Sequence, residues 1–222
     1  MHHHLLGPLA RSYRTSASAL AVLWYLSIGP LLIALSVVLH LCFDHSWILA
    51  GVLGGALLSL VSVLFLAWST SAHLDVHREG IVVGRRLLGG EPRAMWFTEI
   101  HPASIRVFSS IDSIRPLRGG QRMISPHWHI SAGADLAVTF LGPDRRTIHS
   151  LGLRSPRPVQ GIVIFGSRDA MEIAAALRSG LERGGCPPHL ARWSEQFGVQ
   201  EIRGTGLHAQ DQIPGVWADW RP

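Results

Sequence analysis

The chain has 222 residues, of which 47% are hydrophobic and only 16% charged, and its formal net charge is +5. That length admits one large domain or two small ones, while the apolar excess is too high for an ordinary soluble protein. A pI near 10.5, carried mainly by scattered arginines, favours anionic lipid and a cytoplasmic orientation over nucleic acid, because the basic stretches lack the interleaved aromatics on which bases stack.

Residues 1–16 read as a short cytoplasmic N-terminal segment, in which His2–His4 decide nothing. From Thr15 to Phe43 there is no Asp, Glu, Lys or Arg, and the same holds from His45 to Ala72, with Asp44 alone between the blocks. Each block exceeds the roughly 20 apolar residues that cross about 30 Å of hydrocarbon as a helix. The pattern predicts a two-helix transmembrane hairpin over residues 17–70, with spans at about 19–41 and 47–68. A cleaved signal peptide is excluded by the length of the first block and by the second span that follows it.

Arg11 and Arg14 precede the first span, Arg78, Arg85 and Arg86 follow the second, and the connection carries only Asp44 and His45. The bias places both termini in the cytoplasm, with a tiny turn outside. Trp24, Tyr25, Trp47 and Trp68 stand where aromatic belts belong. No carboxylate, lysine or arginine interrupts the spans, as a pump or transporter would require, and the lone histidine, His40, falls near the outer end, where it reads as interfacial. Gly29-Pro30 predicts a kink in the first helix. Gly51, Gly55 and Ser59 recur every four residues, a small-residue face that packs either on the first helix or on a partner's helix. Cys42 and Cys186 fall on opposite sides of the predicted membrane, which rules out an internal disulfide.

Beyond Ser71 short alternating segments predict strands at 72–78, 80–87, 95–100, 104–108, 135–141, 146–151 and 160–165, with turns at Glu79-Gly80 and Gly142-Pro143-Asp144-Arg145 and a long insertion at 109–129. Ser167 then caps a helix whose apolar stripe runs Ala170, Ile173, Ala174, Leu177 and Leu181 and which Gly184-Gly185 ends. Strands at this spacing followed by one amphipathic helix predict a small β-barrel or sandwich over residues 71–185, plugged by the helix. Residues 186–222 read as an irregular tail, too poor in apolar residues to fold alone, yet holding Trp193, Phe197, Trp217 and Trp220 as anchors for a partner or for the domain itself.

The phrase LDVHREGIVV at 74–83, MWFTEI at 95–100 and the closing helix resemble bacterial pleckstrin-homology-like (PH-like) domains, over roughly residues 71–184. The resemblance implies an α+β membrane protein that displays a PH-like module, and it implies that basic residues around the first hairpin, Arg78, Arg85, Arg86 and Arg93, could meet lipid headgroups. Arg115, Arg118 and Arg122 add charge from the insertion.

No G-x-S-x-G, H-E-x-x-H, P-loop or dinucleotide fingerprint occurs. His73, Asp75 and His77 share a strand face, as do His127 and His129, which is the minimum for a metal site; without a further convergent ligand the strands read as polar outer faces. The sequence therefore predicts a non-enzymatic chain without cofactor. It is expected to act as an accessory, assembly or stabilising subunit that meets membrane lipids and an integral membrane partner, and not nucleic acid. A sensor of anionic lipid is the alternative, and a metal-dependent enzyme on the histidines is a third.

Overall fold

The computed structural model describes residues 3–43, 48–87, 92–114, 128–143, 160–204, 209 and 212–213. Two long helices, α1 (Ala19–Phe43) and α2 (Ile48–Thr70), lie against each other as an antiparallel hairpin. Both are long and apolar enough to cross a membrane. At 1.5 Å per residue they reach about 35 Å or slightly more, against about 30 Å of hydrocarbon. The helix continues across Pro30. Hydroxyls that would otherwise sit unpaired in this apolar stretch bond back to their own helix: Ser36 donates to the Leu32 carbonyl at 2.8 Å and Ser59 to the Gly55 carbonyl at 2.9 Å.

The helices do not follow an unstructured leader. Residues Leu9–Arg14 form a strand, β1, that pairs antiparallel with β2 (Ala72–His77), from Leu9 opposite His77 to Arg14 opposite His73. The hairpin thus grows out between two adjacent strands of one sheet, which corrects the reading of residues 1–16 as a separate segment. Five of the six β1 side chains are exposed and only Tyr13 enters the core, so the strand shows little apolar alternation. β3 (Gly80–Arg85) and β4 (Arg93–Trp96) complete a four-stranded antiparallel sheet in the order β1-β2-β3-β4. The strand expected over 95–100 ends early, because Phe97–Glu99 turn into a 3-10 helix. The Glu99 carboxylate accepts the Trp96 N–H at 2.9 Å, and Phe97 drops into the core.

A second sheet holds β5 (Arg106–Ser109), β6 (Trp128–His129), β7 (Ala137–Pro143), β8 (Gln160–Gly166) and β9 (Val199–Glu201), in the order β6-β8-β7-β5-β9. β7 runs straight through Gly142 and Pro143, where a turn was expected, and Pro143 pairs with Gln160. Among the described residues the two sheets do not close into a barrel; they share one apolar core, built from Leu74, Val76, Ile81, Met95, Val107, Phe140 and Phe165. The amphipathic helix α3 (Ala170–Arg183) lays its predicted stripe into that core, where Ala170, Ile173, Ala174, Leu177 and Leu181 are all buried. Each of the three large ones contributes about 1.5–3 kcal/mol. Gly180 on this helix accommodates the Phe97 ring, which would lie 2.2 Å from a β-carbon there.

The tail is less irregular than expected. After Gly185, whose φ of +92° suits glycine, come the short helix α4 (Pro188–Ala191), a 3-10 turn at Trp193–Phe197 and β9, parallel to β5. Ile202, Ala209 and Ile213 then bury against Phe108, Ile111 and Leu141 on the outer side of the second sheet. The tail therefore belongs to the domain as far as it is described. Residues 146–151, most of the insertion, and the side chains of Arg115, Arg118, Arg122, His127, Trp217 and Trp220 lie outside the described residues.

Candidate functional site

The small-residue face of α2 is occupied by the chain itself. A β-carbon on Gly51 would lie 1.9 Å from the Ser36 hydroxyl, and one on Gly55 would lie 2.5 Å from Ile33 and 2.9 Å from the Gly29 carbonyl. Reciprocally, Gly29 faces Ser59 and Gly55. Gly51, Gly55 and Ser59 therefore line the seam with α1, and this face offers nothing to a partner's helix. What the hairpin leaves open is its other surface, where Leu20, Leu23, Leu31, Leu35, Leu53, Leu57 and Leu64 are exposed.

The junction between hairpin and domain is tied by backbone bonds. The Thr15 N–H donates to the Ala72 carbonyl at 3.1 Å and the Ser18 N–H to the Ala132 carbonyl at 3.0 Å. Ser131 donates to the Ser16 carbonyl, and the Arg168 N–H to the Ser16 hydroxyl at 3.0 Å. The linkers are short, residues 15–18 on one side and Ser71 on the other, and Thr15, Ser16, Ser18 and Ser71 are all hydrogen-bonded.

The arginines separate into two groups. Arg85 pairs with Ala72, and the Arg86 N–H bonds to the Ser71 carbonyl, so both stand at the helix end of the first sheet. Arg14, opposite His73, stands there too. The Arg85 guanidinium stacks over Trp68, 3.7 Å from the ring centroid, and one of its nitrogens donates to the Trp128 carbonyl at 3.4 Å. Such a stack contributes about 0.5–2 kcal/mol depending on desolvation. Arg78 is elsewhere: it sits in the β2–β3 turn beside Glu79, at the opposite end of β2 and about 20 Å away by strand rise. Arg78 thus does not share a surface with Arg85 and Arg86. Arg93 is engaged in donating to the Pro143 carbonyl.

His73, Asp75 and His77 do lie on one face of β2, away from the core strip Ala72, Leu74 and Val76. Their partners are local, however. His73 Nε2 is 3.7 Å from Asp75, Ser12 donates to Asp75, and His77 Nδ1 is 2.9 Å from the Gly7 carbonyl. Burial holds the His73 pKa below its ordinary value, with Arg86 and Arg14 acting the same way against Asp75. Among the described residues no three His, Cys, Asp or Glu side chains gather as a metal ion requires.

Of the tail aromatics, Trp193 and Phe197 pack edge to face, with ring centroids 5.1 Å apart. They cover Arg106 of β5, whose guanidinium lies 3.5 Å from the Phe197 centroid and 5.1 Å from that of Trp193. Of the two alternatives, these two rings take the second: they fold back on their own domain, each still partly exposed. Arg178 of α3 joins them, donating to the Ser194 hydroxyl at 3.2 Å.

No family model, curated protein or solved structure matches this chain.

Three of these arginines were not singled out from the sequence as site residues. In the sequence Arg14 carries only a topology signal, because nothing marks its strand. Arg178 falls outside the predicted apolar stripe of α3 yet is buried. Arg106 had a visible signal: a lone arginine inside the apolar run from Ser104 to Phe108, at a strand position that the fold buries.

Proposed function

We propose that this chain is a non-catalytic, membrane-anchored interaction module: an accessory, assembly or stabilising subunit that displays a PH-like domain at the cytoplasmic face of a bacterial inner membrane. The observation that carries the reading is the insertion of the apolar hairpin between β1 and β2. Two helices of this length with few of their residues buried by the chain need an apolar surrounding, which a bilayer provides and a soluble core would have provided only by burying them. A hairpin that leaves and re-enters one sheet keeps both its ends, and the whole domain, on the same side. The bonded junction then holds the domain at a fixed orientation to the bilayer instead of on a loose tether, which suits a module that must meet an integral membrane partner. The leucine-rich outer surface of the hairpin is the surface left for that partner.

Purification of the full chain from native membranes in mild detergent tests this. The expected result is a defined membrane protein retained at constant ratio through size exclusion, and lost when exposed leucines such as Leu53 and Leu57 become polar. Recovery of the chain alone as a monomer from native membranes would falsify the subunit reading.

A second reading, contact with anionic lipid, is favoured by Arg14, Arg85 and Arg86 converging on the helix end of the first sheet. A basic residue close to an anionic leaflet gains about 1 kcal/mol.

A further inference from the structure

Arg106 is an unusual residue to bury. It is 6% exposed, and its Nε and Nη1 atoms are shut off from solvent with no hydrogen-bond acceptor. Directly across the β5–β7 ladder stands Thr139, 1% exposed, whose hydroxyl likewise has no partner. Cross-strand partners project from the same face of a sheet, so the orphaned guanidinium and the orphaned hydroxyl are neighbours. Stacking on Phe197 and Trp193 satisfies the flat faces of the guanidinium but none of its in-plane N–H groups.

The charge balance is also incomplete. A second guanidinium, Arg178, is 9% exposed beside the same cover. Burial lowers the pKa of Arg106, and the nearby Arg178 lowers it further, so the two charges feel each other. Against this pair the described residues offer one carboxylate, Glu195, whose side chain is half exposed and stands 3.8 Å from Arg178. Glu182 is already taken by Arg192 at 2.6 Å. An unpaired buried charge is among the costliest groups a fold can hold, and an unpaired buried donor costs its full desolvation. A water molecule could serve the hydroxyl, but it would leave the charge uncompensated.

We infer that Arg106, Arg178 and Thr139 form a binding site for one oxyanion, closed over by the segment 188–197 that carries Trp193 and Phe197. A carboxylate or phosphate oxygen brings the missing negative charge and accepts from both the guanidinium and the hydroxyl, whereas a cation or an apolar group would leave all three orphans in place. The oxyanion comes either free from solution or as the acidic side chain of a partner. The site stands on its own residues and not on the membrane reading: Arg106 and Thr139 lie at the end of the β5–β7 pairing away from the hairpin junction, where Phe108 and Ala137 stand nearer to it, and α3 leads away from that junction, so a lipid headgroup is not its ligand.

The test uses the full chain in detergent, with inorganic phosphate and a tetraglutamate peptide as probes, each against sodium chloride of equal ionic strength. Thermal unfolding and Trp193 fluorescence are the readouts. The expected result is a saturable rise in Tm and a fluorescence change with at least one probe. Phosphate alone assigns a free oxyanion, and the peptide assigns an acidic side chain. Arg106→Met fills the same space without charge, so it should fold with unchanged or higher Tm in the absence of probe and lose the response. Thr139→Val should keep the fold and weaken binding by about tenfold, the usual worth of one hydrogen bond to a charged group. Failure of both probes to act on the wild type, or an equal rise in wild type and both variants, which would be a bulk solvent effect, overturns the inference. So does a large drop in Tm for Arg106→Met without probe, since it would make the charge a structural group already satisfied.

Discussion

His73 sits on β2 at 7% exposure, with Asp75 3.7 Å away and Arg14 and Arg86 close enough to bear on its charge. Burial disfavours the imidazolium more than Asp75 favours it, so the folded-state pKa lies below the ordinary value of about 6.5. As pH falls through 6.5 the unfolded chain takes up the proton first. The stability is therefore whole above that pH and is lost as pH falls towards the folded-state pKa. His101, also lowered by burial, acts in the same direction. Unfolding followed from pH 7.5 down to 5 should show declining Tm, and His73→Gln should flatten part of that slope. A variant with the wild-type slope would mean that His101 and carboxylates, and not His73, set the acid limit.

The hairpin shows at the level of an element how close backbone approach is built. Gly29 and Gly55 bring α1 and α2 so near that a β-carbon on Gly29 would lie 2.6 Å from the Gly55 carbonyl, whereas one on Gly54 would meet nothing within 4 Å. Gly29→Val should cost about 1–3 kcal/mol through overpacking, read as a fall in Tm in detergent, while Gly54→Ala should be neutral or slightly stabilising. Equal effects at the two sites would show that the helices do not pack along this seam. The helices and α3 were legible in the sequence because each carries its own pattern: an unbroken apolar run, or a stripe at helical spacing with glycine after it. β1 was not, since an edge strand with one buried side chain, Tyr13, has no period to detect. The 3-10 turn at Phe97 was hidden for the opposite reason, its aromatic being needed in the core at a point where strand alternation would have allowed it equally. For the arginines, sequence showed charge but not position: the β2–β3 turn sends Arg78 away from Arg85 and Arg86, a separation that only strand pairing reveals.

At the scale of the whole molecule, the two ends of the first sheet have different surroundings. The helix end carries Arg14, Arg85 and Arg86, and the far end carries Arg78 paired with Glu79. If the hairpin lies in a bilayer, the first group stands at headgroup level and the second does not. Arg14→Ala with Arg86→Ala should lower the preference for anionic over zwitterionic lipid in nanodiscs by about 2 kcal/mol, and more salt should mask the difference. Arg78→Ala should leave it unchanged. A loss with Arg78→Ala as large as with the pair would place the sheet the other way up.

Because β1 is synthesised before the helices and its partner β2 after them, β1 cannot join the sheet until everything from Thr15 to Ser71 has left the ribosome and folded back on itself. Loop closure across so long a segment would be slow for a free coil; a formed hairpin returns Ala72 to the side of Thr15. Settling of the apolar pair and docking of the first strand are thereby coupled: the sheet gains its outermost member only where the two helices have come together.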